Sequence, residues 1–188
     1  MRRQHFGDSY DLVKQSFLGW LSALGAWTIH PMFTAPSCEW AQEFSKLVGC
    51  RLLSTEVLRP ETNRSEYFAT SHRFGHLFLD PDTGLSKKHI PLRKRPAYLM
   101  WQELILIGKA KERRHCLTLV FDQSVARGQE RPQVELKLRL LRSEGLFGLA
   151  YVSQACFILV SQDRHLVSCA HKLIVNQSRL PADRLIFV

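Results

Sequence analysis

The chain has few cysteines, and their spacing suits neither disulfides nor zinc. Its five cysteines are widely scattered, and no two of them form a C-x-x-C pair. An odd number of separated cysteines predicts reduced thiols in a cytoplasm and argues against a disulfide framework. The same spacing argues against a zinc site, which needs closely spaced ligands.

Long apolar runs and phosphate-binding signatures are also missing. No apolar stretch reaches the length of a membrane span, so we expect no membrane partner. Lys14, Gln15 and Ser16 interrupt the first apolar segment, which argues against a signal peptide. The chain lacks both the G-x-x-x-x-G-K-[ST] sequence and a G-x-G-x-x-G loop after its first predicted strand. A P-loop is therefore excluded, and an ordinary dinucleotide site is not expected.

The chain does have enough apolar residues for a core, and a large excess of positive charge. It has 188 residues, of which 45% are hydrophobic, and this predicts a single domain over 1–188. Its formal net charge is +9. Such an excess favours anionic partners, nucleic acid first, although a soluble protein with a basic surface would carry the same charge. The sequence leaves the oligomeric state open.

Predicted helices and strands alternate along most of the chain. The hydrophobic spacing predicts helices near 9–24, 38–48 (with Ser37 as its N-cap), 97–112, 132–144 and 163–176. Apolar runs predict strands near 26–30, 51–55, 76–80, 115–121, 146–152, 156–160 and 184–188, and the polar segments 58–75 and 86–96 predict loops. This order predicts a three-layer α/β sandwich with a mainly parallel sheet, to which a hairpin near the C-terminus adds an antiparallel strand.

Two aspartates directly follow the apolar run 76–79. Pro81 fixes its own backbone and holds Asp80 in an extended conformation, and Gly84 permits the turn after Asp82. Asp122 follows a later central strand, and His30 ends the first strand. Because open α/β sheets bind ligands at the carboxyl ends of their strands, these side chains predict a site at that edge.

The chemistry of this edge suggests metal-dependent phosphodiester hydrolysis. Asp80 and Asp82 would bind Mg²⁺, Asp122 would join them from the neighbouring strand, and His30 would act as a general base or a metal ligand. Two plainer interpretations stay open. The aspartates could instead cap backbone N–H groups of the loop, and His30 could be a hydrogen-bonded structural residue.

A basic loop follows the acidic turn and suits a nucleic-acid backbone. Its cations would bind phosphates beside the aspartates; they are Lys87, Lys88, Arg93, Lys94 and Arg95. The alternative is a solvated lid with no ligand. A second basic group consists of Lys109, Lys111, Arg113 and Arg114, and it fits the C-terminal end of the preceding helix, where cations are stabilised.

Two stretches resemble a pattern in uncharacterised bacterial proteins. They are Phe78-Leu79-Asp80-Pro81-Asp82-Thr83-Gly84-Leu85 and Tyr98-Leu99-Met100-Trp101-Gln102-Glu103-Leu104. In those proteins an apolar strand enters an Asp-Pro-Asp-Asn/Thr-Gly turn, and a Tyr/Trp-Glu-Leu helix follows. The match covers about a sixth of the chain, and it implies no known activity.

The order of the predicted elements also resembles that of a class I methyltransferase. In such enzymes an Asp/Asn-Pro-Pro-Tyr-type turn lies at the target base. Asp80-Pro81 matches the first half of that turn, and Asp82-Thr83 departs from it. The resemblance implies S-adenosylmethionine as the cofactor, but His30-Pro31-Met32-Phe33-Thr34 stands where the glycine-rich loop of the family would be.

The sequence therefore predicts a protein that binds or processes nucleic acid, with metal-dependent phosphodiesterase or nuclease activity as its enzymatic form. The alternatives are a methyltransferase-like protein that uses S-adenosylmethionine and a non-catalytic interaction protein. Whether the chain is an enzyme is left open.

Overall fold

A computed structural model describes residue 3 and residues 6–36, 39–73 and 75–187. Within them the α-helices are α1 (Ser9–Leu21), α2 (Ala41–Val48), α3 (Arg64–Tyr67), α4 (Trp101–Lys109), α5 (Glu130–Ser143) and α6 (Arg164–Ser178). The strands are β1 (Trp27–His30), β2 (Arg51–Leu52), β3 (His76–Leu79), β4 (Gly84–Ser86), β5 (Tyr98–Met100), β6 (Thr118–Asp122), β7 (Phe147–Tyr151), β8 (Cys156–Ser161) and β9 (Leu185–Phe187). Short 3₁₀ turns lie at Ser22–Leu24, Ala69–His72, Leu92–Ala97, Lys111–Arg113 and Ala182–Arg184.

The main sheet has seven strands in the order β2-β1-β3-β6-β8-β7-β9. Strands β2, β1, β3 and β6 pair in parallel, whereas β8 pairs antiparallel with both β6 and β7. Strand β7 therefore runs in the same direction as β6, and β9 pairs antiparallel with β7. A small second sheet joins β4 and β5 in parallel. The α/β class and the mostly parallel sheet are confirmed, and the predicted C-terminal hairpin is confirmed in part, because β9 adds a second antiparallel strand beside β7.

Helices cover both faces of the main sheet. One hydrophobic core lies between the sheet and α1, α2 and α6, and it includes Phe17, Phe44, Phe78 and Phe157. The other core lies between the opposite face and α4 and α5, together with the small sheet. Successive residues of a strand point to opposite faces, so each central strand contributes to both cores.

Several element boundaries differ from the predicted ones. The helix predicted over 97–112 begins at Trp101, because Tyr98–Met100 pair with β4. The predicted loops contain short helical turns, α3 in 58–75 and Leu92–Ala97 in 86–96. Ser37, residue 38 and the last residue of the final predicted strand lie outside the described residues.

Candidate functional site

A cavity of about 110 Å³ lies at the carboxyl ends of β3 and β6, against the first turns of α1. Its walls include Asp8, Lys14, Asp80 and Asp82, together with the rings of Tyr10 and Phe121. Polar and charged groups thus meet two aromatic rings at the edge where parallel sheets bind their ligands.

A buried ionic cluster forms one wall of this cavity. The Lys14 ammonium donates to Asp11 Oδ1 at 3.0 Å and to Asp80 Oδ2 at 2.9 Å. Asp11 and Asp80 are each 1% exposed, and Lys14 is 5% exposed. One cation therefore serves two buried carboxylates, so with all three groups ionised the cluster has a net negative charge.

Burial shifts the ionisation of this cluster. Loss of solvation raises the pKa of Asp80, and the Lys14 ammonium opposes that shift. Burial alone would lower the pKa of Lys14, but the charges of Asp80 and Asp11 outweigh it and raise the pKa of this ammonium. Lys14 is thus charged at neutral pH, and it favours the ionised form of Asp80.

Asp82 lies beside Asp80 in the same cavity. Its side chain is half-buried and accepts a hydrogen bond from the Thr34 hydroxyl, which belongs to the loop after β1. The structure therefore brings together two of the four predicted catalytic residues, Asp80 and Asp82, which are also the two predicted metal ligands.

Asp122 lies on the opposite face of the sheet from Asp80. In the parallel pairing of β3 with β6, Leu79 stands opposite Val120, so Asp80 is level with Phe121 and not with Asp122. Phe121 faces α1 and lines the cavity. Because adjacent residues alternate, the Asp122 side chain points toward α5 and away from the cavity.

The Asp122 carboxylate is fully engaged by its own neighbours. Oδ2 accepts from Lys137 Nζ at 2.6 Å, and Oδ1 accepts from Leu85 N at 3.0 Å and from Ser124 Oγ at 2.7 Å. Lys137 Nζ also donates to Leu85 O at 2.9 Å and to Ser124 Oγ at 3.0 Å. These contacts join β4, β6 and α5, and they give Asp122 a structural role on this face.

His30 also points away from the cavity. Its backbone carbonyl accepts from Asp80 N at 3.1 Å, but its ring packs against Tyr67 and Phe68 on the other face. His30 is fully buried, and burial lowers its pKa to about 4. The ring is therefore neutral. Because Nε2 lies 3.3 Å from the Tyr67 carbonyl, which can only accept, the proton is on Nε2.

Four of the five predicted nucleic-acid-binding cations are exposed. Lys87, Lys88, Arg93 and Lys94 make no ion pair with any residue that the structure describes. Arg95 is half-buried. We call residues 87–95 the basic segment.

The basic segment is held at both ends. On its N-terminal side, Lys88 N donates to Ser86 Oγ at 3.2 Å, next to β4. On its C-terminal side, Arg64, which is paired with Glu103 of α4, donates to Arg95 O at 3.4 Å and to Tyr98 O at 2.8 Å. The cations thus extend from a loop fixed to the carboxyl edge that carries the Asp80 cavity.

Sequence reasoning missed Lys14 and Asp11 as members of the site. In the sequence, Lys14 stands out only as an interruption of an apolar segment. It nevertheless lies in helical register with Tyr10, Phe17 and Leu21, whose apolar stripe faces the core. A lysine inside such a stripe needs a buried carboxylate partner, and that signal could have linked α1 to the Asp-Pro-Asp turn.

The cavity does not fit a divalent metal ion well. Asp80 already accepts from an ammonium 2.9 Å away, and Asp82 accepts from Thr34. Within residues 6–36, 39–73 and 75–187, no group of three or more His, Cys, Asp and Glu side chains could hold a metal. An ammonium next to a carboxylate ligand would repel a second cation, so this arrangement does not favour metal binding.

The loop after β1 lacks the features by which a glycine-rich loop binds S-adenosylmethionine. Pro31, Met32 and Phe33 are all buried, and Met32 has a positive φ of 48°. Bulky side chains thus occupy the space where glycines would let a cofactor approach the backbone.

Comparisons with protein-family models, with curated proteins and with solved structures found no match to the chain. In the part of the chain that the structure describes, no helix has the length and apolar character needed to cross a bilayer.

Proposed function

We propose that this protein binds nucleic acid through its phosphate backbone, at the carboxyl edge of the main sheet. The observation that carries the proposal is the basic segment. Four exposed cations, with no ion-pair partner among the described residues, extend from a loop that is fixed at both ends to the small sheet β4–β5, on the face of the main sheet that carries Asp122. A fixed loop loses little conformational entropy on binding, so its charges are available to phosphates at small cost.

The side chains of this edge favour contacts to the backbone over contacts to bases. Among the described residues, the large exposed apolar side chains include Leu92, which lies in the basic segment. They include one aromatic side chain, that of Phe187 on β9. Single-strand binding usually relies on aromatic rings on which bases stack. We therefore propose a duplex, or another regular polyanion, read mainly through its phosphates.

The acidic cavity adds a constraint on how a phosphate can lie. The carboxylates Asp8, Asp80 and Asp82 line the cavity together with the Lys14 ammonium. A phosphate entering the cavity would lie against these carboxylates, so we propose that phosphates bind the basic segment instead. The cavity would then receive a hydrogen-bond donor of the same ligand. Phosphodiester cleavage with Mg²⁺ remains a finer prediction, and the Lys14–Asp80 pair does not favour it.

The proposal is tested by measuring duplex binding to a charge-neutralised pair. Lys88→Gln/Arg93→Gln removes one lysine and one arginine from the basic segment. Fluorescence anisotropy with a labelled DNA duplex should show weaker binding, to a similar degree for duplexes of different sequence. Equal affinity of this variant and the wild type would refute the proposal.

The matched control neutralises one arginine and one lysine elsewhere. Arg139 on α5 and Lys172 on α6 are exposed, so Arg139→Gln/Lys172→Gln makes the same change of net charge. This control should retain wild-type affinity. Incubation of the wild type with labelled duplex and Mg²⁺ tests cleavage separately. Binding without cleavage would mean that the protein binds nucleic acid but is not a nuclease.

One observation favours the methyltransferase-like layout as a second proposal. A late hairpin of β7 and β8 follows the penultimate helix α5, in the order that the family has. Because the buried side chains of Met32 and Phe33 fill the loop after β1, we propose that the protein shares the order of elements of a methyltransferase but does not bind S-adenosylmethionine. Heat released on titration with S-adenosylmethionine would contradict this second proposal.

We also propose a reducing cytoplasm as the location of the protein. Cys50, Cys116, Cys156 and Cys169 are free thiols, as expected where glutathione keeps cysteines reduced.

A further inference from the structure

The opposite edge of the sheet, where β1, β3 and β6 begin, also carries exposed cations. Arg73 precedes β3, Lys111 and Arg114 precede β6, and Arg164 follows β8 at the first position of α6. All four are exposed, and none makes an ion pair with a residue that the structure describes. We call these four residues the amino-edge cluster.

Neighbouring strands bring the cluster together. Strand β6 pairs with β3 on one side and with β8 on the other, so the loops that carry the four cations are adjacent. His115 Nδ1 lies 2.9 Å from Asp163 Oδ2, which joins the turn before β6 to the start of α6. The charges therefore come from three separate segments of the chain but lie along one edge.

The buried residue Arg113 fixes this edge. Its guanidinium donates to Gly75 O at 2.6 Å, to Leu117 O at 2.9 Å and to Thr118 Oγ1 at 2.8 Å. Gln162 Nε2 also donates to Gly108 O at 3.0 Å. Residues of the second basic group, Lys109, Lys111, Arg113 and Arg114, therefore have different roles. Arg113 is buried and holds the loops together, whereas Lys111 and Arg114 are exposed to solvent.

We infer that the amino-edge cluster is a second nucleic-acid-binding surface, which also contacts the phosphate backbone. Three of its four cations are arginines, whose planar guanidinium binds phosphate oxygens in pairs. In the described residues, none of the large exposed apolar side chains belongs to the loops that carry the cluster. A membrane surface or a protein interface would need such apolar anchors. One exposed carboxylate, Glu112, lies between the cations.

Together with the proposed site at the carboxyl edge, a second surface would let one molecule hold two duplexes. The inference does not depend on that site, because the two edges share no residue and can be neutralised separately. Lys111→Gln/Arg114→Gln removes one lysine and one arginine, which matches both the basic-segment variant and the Arg139→Gln/Lys172→Gln control.

The experiment measures duplex affinity of the full chain as a function of salt, by anisotropy. We expect Lys111→Gln/Arg114→Gln to reduce the slope of log K against log salt by about 1 for each cation that contacts phosphate. Arg73→Gln/Arg164→Gln should reduce the slope in the same way. This second variant allows the measurement to be made if the first variant does not fold. The control should keep the wild-type slope.

A second readout is the capture of a fluorescent duplex on beads that carry an unlabelled duplex. The wild type should bridge the two duplexes, and either edge variant should lose bridging. If the amino-edge variants keep the wild-type slope, the inference is wrong, whatever the basic segment does. If the amino-edge variants reduce the slope of log K against log salt while the basic-segment variant keeps the wild-type slope, the inference holds and the proposed function fails.

Vesicles of anionic phospholipid provide the last arm of the test. If the amino-edge variants lose vesicle binding while they keep duplex affinity, the cluster serves a membrane surface, and the inference is overturned.

Discussion

At the scale of single residues, the buried Lys14 is the most unusual feature of the site. Lys14→Met keeps an unbranched chain of similar length but removes the ammonium that Asp11 and Asp80 share in the core. We expect a loss of about 3–5 kcal/mol in the free energy of unfolding, measured by urea denaturation, because a buried charge without its partner is costly. Asp80→Asn in the Lys14→Met background should recover part of that loss.

Lys172→Met is the matched control for Lys14→Met, because Lys172 is exposed on α6. Its stability should stay close to that of the wild type. If Lys14→Met were as stable as this control, the ionic cluster would have no role in holding α1 against the Asp80 turn.

His30 makes a prediction about pH. Burial lowers its pKa from 6.5 to about 4 in the folded protein, whereas the unfolded chain has the ordinary value. Between these values the unfolded state binds more protons, so the free energy of unfolding decreases as pH falls from 6.5 toward 4. At pH 5 this amounts to about 2 kcal/mol relative to pH 7.

The measurement compares urea unfolding of the wild type and His30→Phe at pH 7 and pH 5. Phe suits the aromatic surroundings of Tyr67 and Phe68, and it cannot be protonated. The variant should lose about 2 kcal/mol less than the wild type on acidification. His89→Phe changes an exposed histidine and serves as the control. Parallel pH dependence of the wild type and His30→Phe would contradict a buried neutral ring.

The members of the site could be only partly predicted from the sequence. The turn after β3 is visible there, because an apolar run ends in Asp-Pro-Asp and Gly. The separation of Asp80 from Asp122 depends on the register between β3 and β6, and a shift of one residue exchanges the faces of a sheet. No local pattern fixes that register, so the sequence predicts as neighbours two aspartates that bind different lysines on opposite faces.

At the scale of elements, the small sheet β4–β5 depends on one glycine. Gly84 has a φ of +127°, and a Cβ added there would lie 2.2 Å from Asp122 Oδ1. Gly84→Ala should therefore displace β4 or break the hydrogen bonds of Asp122 to Leu85 and Lys137. We expect it to lower the free energy of unfolding by more than about 1 kcal/mol.

Gly128→Ala separates this steric effect from the backbone effect. Gly128 also has a positive φ, +77°, but no atom lies within 4 Å of an added Cβ. Urea denaturation of the two variants should show the larger loss for Gly84→Ala. Equal losses would mean that the approach of β4 to Asp122 adds nothing to stability.

Long, strongly patterned elements were predictable, and short ones were not. The helical spacing of apolar residues predicts α1, and two adjacent apolar runs predict β7 and β8. Strands β4 and β5 have three residues each and flank the basic segment, and Tyr98–Met100 of β5 was predicted as the start of a helix. Their stability comes from contacts with β6 and α4 and not from their own sequence, so no local signal predicted them.

At the scale of the whole molecule, where the net charge is +9, exposed cations lie at both edges of the sheet. The basic segment lies between β4 and β5, near the carboxyl edge, and the amino-edge cluster lies at the other end of the strands. The sequence predicted the excess of charge and the composition of the basic segment. It did not predict the amino-edge cluster, because Arg73 and Arg164 join Lys111 and Arg114 only after the sheet has formed.

The most direct test of the central claim, that the basic segment binds the phosphates of nucleic acid, is the salt dependence of duplex binding. For the wild type, the logarithm of the association constant should fall linearly and steeply with the logarithm of salt concentration. Lys88→Gln/Arg93→Gln should reduce that slope by about 1 for each phosphate that the neutralised side chains no longer bind. A variant with the wild-type slope, or a wild type that does not bind duplex at low salt, would contradict the claim.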